Sequence, residues 1–193
     1  MSHIEKENRL LRPLNLTKPS PGKGFEIYTS KNGFKVGVLN LMGNVFMKKC
    51  DDVFEAARIF KNKFKLKEDF DFLVVDFHGE ITSEKMAMGH FFDGNATLVV
   101  GTHTHVPTND VRILINGTAF QTDAGMCGDY DSVIGMDKQA ATARFTGEAA
   151  PRLSVAVGEP TLCGLLVESN DEGHAVSVEP LRRGGRLSAA TPA

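Results

Sequence analysis

The sequence predicts an α/β protein, with a layer of parallel strands over its first half and a β-rich second half packed on it. Three apolar runs, "FKVGVLNLMG" (34–43), "FDFLVVDFHG" (70–79) and "ATLVVGTH" (96–103), are separated by stretches with helical spacing. Strand, helix and strand at such short intervals indicate parallel neighbours joined by crossover helices. After Val106 the texture changes to short β segments with turn signals. These are "VRILINGTAFQTDAG", "PRLSVAVGE", "TLCGLLVES" and "HAVSVEP", broken by one helical stretch near "MDKQAATARF".

Residues 1–30 read as a connector, because "RPLNLTKPSPGKG" contains three prolines and two glycines, which remove donors and favour extended or turn backbone. Residues 31–182 form the folded domain. In "DDVFEAARIFKNKF", Asp51 or Asp52 is the candidate N-cap. Val53, Ala56, Ala57, Phe60 and Phe64 then fall at helical spacing. "TSEKMAMGHFFDG" is a short helix capped by Thr82 or Ser83 and stopped by Gly94, with Met86 and Met88 read as core. Residues 183–193 read as a disordered tail.

The 193 residues are 41% apolar and 24% charged with a net charge of −2, which argues against an extended nucleic-acid surface. The lysines of "KNKFKLK" are offset by the acids of "EDFD" and read as a solvated helix end. Three cysteines (Cys50, Cys127 and Cys163) are too few and too scattered for a disulfide framework and read as core fillers. Their scarcity fits a reducing, cytoplasmic setting. No run of 18 apolar residues occurs, and "MSHIEKENRLLRP" lacks a signal-peptide core, so no membrane partner is expected.

The chemistry gathers where strands end, since functional groups in parallel α/β sheets collect at the carboxyl edge. One strand run ends at His78 and another at His103 and His105. On extended backbone, residues i and i+2 point the same way with Cα atoms roughly 7 Å apart. Both imidazoles could therefore reach one ion or two adjacent ions, with His78 adding a ligand from the neighbouring strand. Asp76, Glu80 and Asp123 offer carboxylates as further ligands or as supports for the imidazoles. The bland alternative is that these histidines cap strand ends through backbone hydrogen bonds. His3, His90 and His174 read as unrelated to the site. "NLMGN" and "TDAGMCGDYDS" are glycine-bearing loops without a phosphate-loop pattern.

"RLLRPLN", "VLNLMGNVFM", "VVDFHGEITSEK", "VVGTHTHVPTND" and "TDAGMCGDYDSVIGMDK", in this order from about Arg9 to Val178, resemble the YmdB-type bacterial metallophosphoesterases, relatives of the calcineurin-like phosphodiesterases. The resemblance implies an α/β/β/α sandwich and a two-metal phosphodiesterase acting on phosphodiesters such as cyclic nucleotides. It also implies a divalent transition metal, Fe or Mn with Zn possible. His78 and His103 would then serve one ion and His105 the other. Family members carry a further amino-terminal segment supplying an Asp, a bridging Glu with an adjacent Asn, and an Asn-His pair whose His is the general acid. This sequence contains no Asn-His dipeptide, so it matches the carboxyl-terminal two-thirds of a family member, and no catalytic acid is assigned.

The resemblance thus implies an incomplete sandwich without the first β-α units and an impaired activity. A longer chain carrying the missing segment should be faster. The expectation of a different class is a non-catalytic metal- or nucleotide-binding remnant, or half of a split enzyme. An incomplete sandwich would also leave the strands ending at His78 and His103 as an exposed edge, uncovering Leu73, Val75, Val99 and Val100. Homo-oligomers or self-association would follow.

Overall fold

The computed structural model describes residues 3–17 and 19–192. Met1, Ser2, Lys18 and Ala193, which the connector and tail readings include, lie outside the described residues. A single turn, α1 (His3–Lys6), precedes the hairpin of β1 (Phe25–Thr29) and β2 (Lys35–Met42). Then follow α2 (Val53–Lys63), β3 (Phe72–His78), α3 (Thr82–Phe92) and β4 (Leu98–Thr102). The second half adds β5 (Arg112–Ile113), β6 (Ala119–Gln121), β7 (Gly128–Asp129), α4 (Lys138–Thr146), β8 (Pro160–Ser169) and β9 (Ala175–Arg183). One sheet has the order β1-β2-β3-β4-β6-β5, and a second has the order β7-β8-β9.

Strands β2, β3, β4 and β6 run parallel; α2 and α3 make the crossovers among the first three, and β5 lies between β4 and β6 in the chain. Alternation along each strand sorts the residues between the two faces of the sheet. Leu39, Leu41, Leu73, Val75, Phe77, Val99 and Phe120 bury against Val53, Ala57 and Phe60 of α2 and against Met88 and Phe92 of α3. The opposite face, with Val36, Val38, Val74 and Val100, is only half-buried. Truncating Phe120, which is fully buried, to alanine should cost about 3–5 kcal/mol, read from the urea midpoint.

Several expectations need correction. The stretch read as a connector contains β1, whose "FEIYT" pairs antiparallel with β2 from Phe25↔Leu39 to Thr29↔Lys35. The prolines and glycines before it set an approach path, and its aromatic and β-branched residues make the strand. With β2 and β6 on either side, β3 and β4 are bonded along both edges. Leu73, Val75 and Val99 lie at 0–1% exposure beneath the helices, and Val100 is half-buried. The exposed central edge expected above is therefore absent.

Asp52 caps α2, accepting from Glu55 N at 2.9 Å. The N-cap of α3 is instead Ile81, with no side-chain bond, because Thr82 already has helical backbone. Gly94 at φ +77 ends that helix as expected. "PRLSVAVGE" forms no strand and contributes only a bridge from Val155 to Met136, with Val157 97% exposed. At the carboxyl end, Gly184 and Gly185 take positive φ and turn the chain back, so that Arg182 and Ala190 exchange backbone bonds at 2.7 and 3.1 Å. Cys163 is buried and Cys50 partly so, while Cys127 is exposed rather than core. No helix among the described residues is long and apolar enough to cross a membrane.

Candidate functional site

The carboxyl edge of the parallel sheet carries the histidines. His78 is the last residue of β3 and pairs in register with Thr102, the last residue of β4. That register sets the local chemistry. Thr102 Oγ1 lies 3.1 Å from His78 Nδ1 and donates to Asp76 Oδ1 at 3.2 Å. With the threonine proton committed to the carboxylate, His78 Nδ1 must be the donor to Thr102, which leaves its Nε2 with a free lone pair. Asp76 is held on its other side by Asn40 Nδ2 at 2.7 Å.

His103 packs edge-to-face on His78, with ring centroids 4.7 Å apart and an interplanar angle of 85°. Its Nδ1 lies 2.9 Å from His78 Nε2, so the His103 proton occupies the space between the two nitrogens. On the far side of the ring, Nε2 meets Glu80 Oε2 at 2.9 Å. Burial first, and then the neighbouring His103, lowers the pKa of His78 below the ordinary imidazole range, which favours the neutral, ligating form.

The backbone after Thr102 does not continue the strand. His103 and His105 take φ of +119° and +67°, which costs non-glycine residues of order 1–3 kcal/mol each. The extended i, i+2 geometry expected from H-x-H is therefore broken, and the two imidazoles do not lie side by side. His103 turns to His78, whereas His105 turns its Nδ1 to the Ile134 carbonyl at 2.8 Å and remains exposed. Glu80 and His78 meet opposite sides of the His103 ring. Among the described residues no three histidine, cysteine or carboxylate side chains converge as a metal-holding group.

Asp123, expected as a supporting carboxylate, lies below the turn and touches none of the three histidines directly. Its Oδ2 accepts from Thr104 N at 2.9 Å and from Lys85 Nζ at 2.8 Å. Its Oδ1 accepts from Gly125 N at 2.9 Å. Burial would raise its pKa, but the bonds from Lys85, Thr104 and Gly125 outweigh burial and lower it. Asp110 shows the same balance more strongly: burial is outweighed by bonds from Thr108, Thr122 and Arg112, holding its carboxyl at about 2.

Sequence reasoning missed Thr102 and Lys85. Counting back from the two strand ends pairs Thr102 with His78. Lys85 sits on the stripe that continues through Met88, Gly89 and Phe92, so its spacing marks it as core-facing. If His78 ligates a divalent cation, removing the Thr102 hydroxyl while keeping its shape (Thr102→Val) should weaken that binding roughly 10–100-fold, as read by calorimetry; parental affinity would show that the Asp76–Thr102–His78 chain does not orient His78.

The chain is 42% identical over 178 residues to a 2',3'-cyclic-nucleotide 2'-phosphodiesterase of Bacillus subtilis strain 168; the match covers 91% of this chain and 66% of that protein. A solved phosphatase of Mycoplasma pneumoniae superposes with a TM-score of 0.83 at 32% identity, over 94% of this chain and 66% of that one. A Thermus thermophilus protein of known crystal structure gives 0.81 at 37% identity, over 95% and 70%. The chain thus spans about two-thirds of the length of these relatives. The family model described as YmdB-like protein matches residues 1–181, and on that match over nearly its whole length the chain belongs to the YmdB-like family.

Proposed function

We propose that this chain is the histidine-bearing part of a metal-dependent phosphodiesterase acting on phosphodiesters such as 2',3'-cyclic nucleotides through a two-metal site. His78 and His103 would hold one ion and His105 would serve the other. The observation that carries this reading is the 2.9 Å approach of His78 Nε2 to His103 Nδ1. Two metal–nitrogen bonds of ~2.1 Å at roughly 90–110° hold their nitrogens ~3.0–3.4 Å apart. The pair therefore lies close to ligand spacing, and taking up one ion would require loss of the shared proton and a turn of both rings so that their lone pairs meet at the ion. Imidazoles with an adjacent carboxylate suit Fe or Mn, and also zinc. The activity named for the Bacillus relative supplies the substrate class.

When bound, such ions act as Lewis acids and make water a nucleophile near neutral pH. The chain's own residues do the positioning. The Asp76–Thr102 pair fixes the His78 tautomer, Glu80 steadies His103, and the Ile134 carbonyl fixes His105 with its Nε2 available. Because a cation displaces the proton between His78 and His103, binding should release protons, and affinity should fall as the pH is lowered. Calorimetry in buffers of different ionisation enthalpy reads that release at pH 7; its absence would contradict the ligand assignment.

The deciding experiment supplies Mn²⁺ and adenosine 2',3'-cyclic phosphate to the chain and follows the phosphate by ³¹P NMR. Ring opening that requires both Mn²⁺ and His103 supports the reading. Mn²⁺ bound without turnover would favour the second reading, a metal- or nucleotide-binding module that needs a partner.

A further inference from the structure

We propose that the buried Lys85–Asp123 pair is a positioning device that holds the His103–Thr104–His105 turn in its strained shape, so that metal affinity at the site depends on it. The metal consequence rests on the function proposed above. Both side chains are 1% exposed and meet at 2.8 Å. Replacing a buried ion pair by apolar groups is often neutral or stabilising, so stability alone does not explain why one lies here. Its location does. Thr104 N, between the two histidines, donates to the same Asp123 oxygen that Lys85 neutralises.

The surrounding main chain points the same way. Ala124 N donates to Gly101 O at 2.9 Å, Met126 N to His105 O at 3.3 Å, and Thr108 N to Asp123 O at 3.0 Å. The 123–126 segment thus grips the histidine turn before, within and after its two positive-φ residues. Lys85 extends to that segment from α3, passing Gly101, where a Cβ would come within 2.9 Å of Lys85 Cδ. An uncharged residue at position 85 would leave Asp123 a lone buried carboxylate and loosen its hold on Thr104.

The test uses Lys85→Met, Asp123→Asn and the double variant Lys85→Met/Asp123→Leu in the full chain. Three quantities are read: the urea midpoint, Co²⁺ affinity with its visible spectrum, and amide exchange at Thr104 and His105 without metal. Lys85→Met should lower the midpoint. The double variant, free of the lone charge, should regain midpoint yet bind Co²⁺ roughly tenfold or more weakly, with an altered spectrum. Its Thr104 and His105 amides should exchange faster while those of β2 stay as in the parent. Parental Co²⁺ affinity and spectrum in a folded double variant would overturn the proposal. Should the double variant not fold, Asp123→Asn replaces it, since its single acceptor oxygen cannot serve both Thr104 and Gly125; parental exchange and affinity there overturn the proposal equally. If the parent binds no Co²⁺, the metal reading fails, and exchange at Thr104 and His105 alone decides whether the pair holds the turn.

Discussion

On the function proposed above, replacing His103 with alanine should remove the ion that His78 and His103 would hold and, with it, the proposed phosphodiesterase activity. The substitution deletes the nitrogen 2.9 Å from His78 Nε2 and the partner of Glu80 together. Lewis-acid stabilisation at a phosphoryl centre amounts to several kcal/mol, so the rate should fall on the order of 10³-fold or more. The fold should tolerate the change, because His103 lies beyond the end of β4 and outside the apolar core. Alanine keeps the Cβ, so the backbone strain at this positive φ is not relieved by the substitution. His105→Ala should lower activity while leaving the first ion bound, since the His105 ring bonds to Ile134 O and not to the His78–His103 pair. The double variant His103→Ala/His105→Ala should bind no ion. Metal content equal to the parent in that variant, measured by elemental analysis after dialysis, would remove the basis of the site.

Gly101→Ala should be the most destabilising single-methyl change in the chain. A Cβ at this strand position would overlap the Thr122 carbonyl oxygen outright and crowd Lys85 Cδ. Neither neighbour can retreat cheaply. Thr122 N and Oγ1 are tied to Asp110 at 3.1 and 2.6 Å, and Lys85 is bound into the Asp123 pair. Overpacking of this kind costs about 1–3 kcal/mol and occasionally more; with backbone as the obstacle, about 3 kcal/mol or more is expected. Gly164→Ala is the matched control, because a Cβ there meets nothing within 4 Å and β8 is ordinary strand at that point. Urea midpoints that fall for Gly101→Ala and hold for Gly164→Ala fit the packing described; similar midpoints for the two would show that β4 and the 122–123 segment can separate freely.

The elements most readable in the sequence are those whose pattern and packing agree. β2, β3 and β4 are continuous apolar runs because both their edges are bonded and at least one face is covered, and α2 has its Asp52 cap beside its apolar stripe. β1 was hidden because the glycines and prolines ahead of it are also what a linker would contain. Only pairing with β2 reveals that Phe25 and Ile27 pack against the core. His78 and His103 were legible as strand-end residues, and their meeting follows from the parallel register of β3 and β4. His105 was legible as a residue but not as a geometry. Its orientation depends on two positive-φ turns that neither His103 nor His105 advertises, held by Asp123 from about twenty positions downstream. Lys85 was overlooked because a lysine in a helix is ordinarily a surface residue, and only its carboxylate partner from another element lets it lie buried.

Anomalous diffraction from crystals of the chain grown with Mn²⁺, recorded at the manganese edge, tests the central claim most directly. The account predicts a peak within about 2.1–2.3 Å of both His78 Nε2 and His103 Nδ1, with the hydrogen bond between those two nitrogens replaced by the ion. Manganese bound elsewhere, or absent, while the two imidazoles keep their 2.9 Å hydrogen bond, would contradict it.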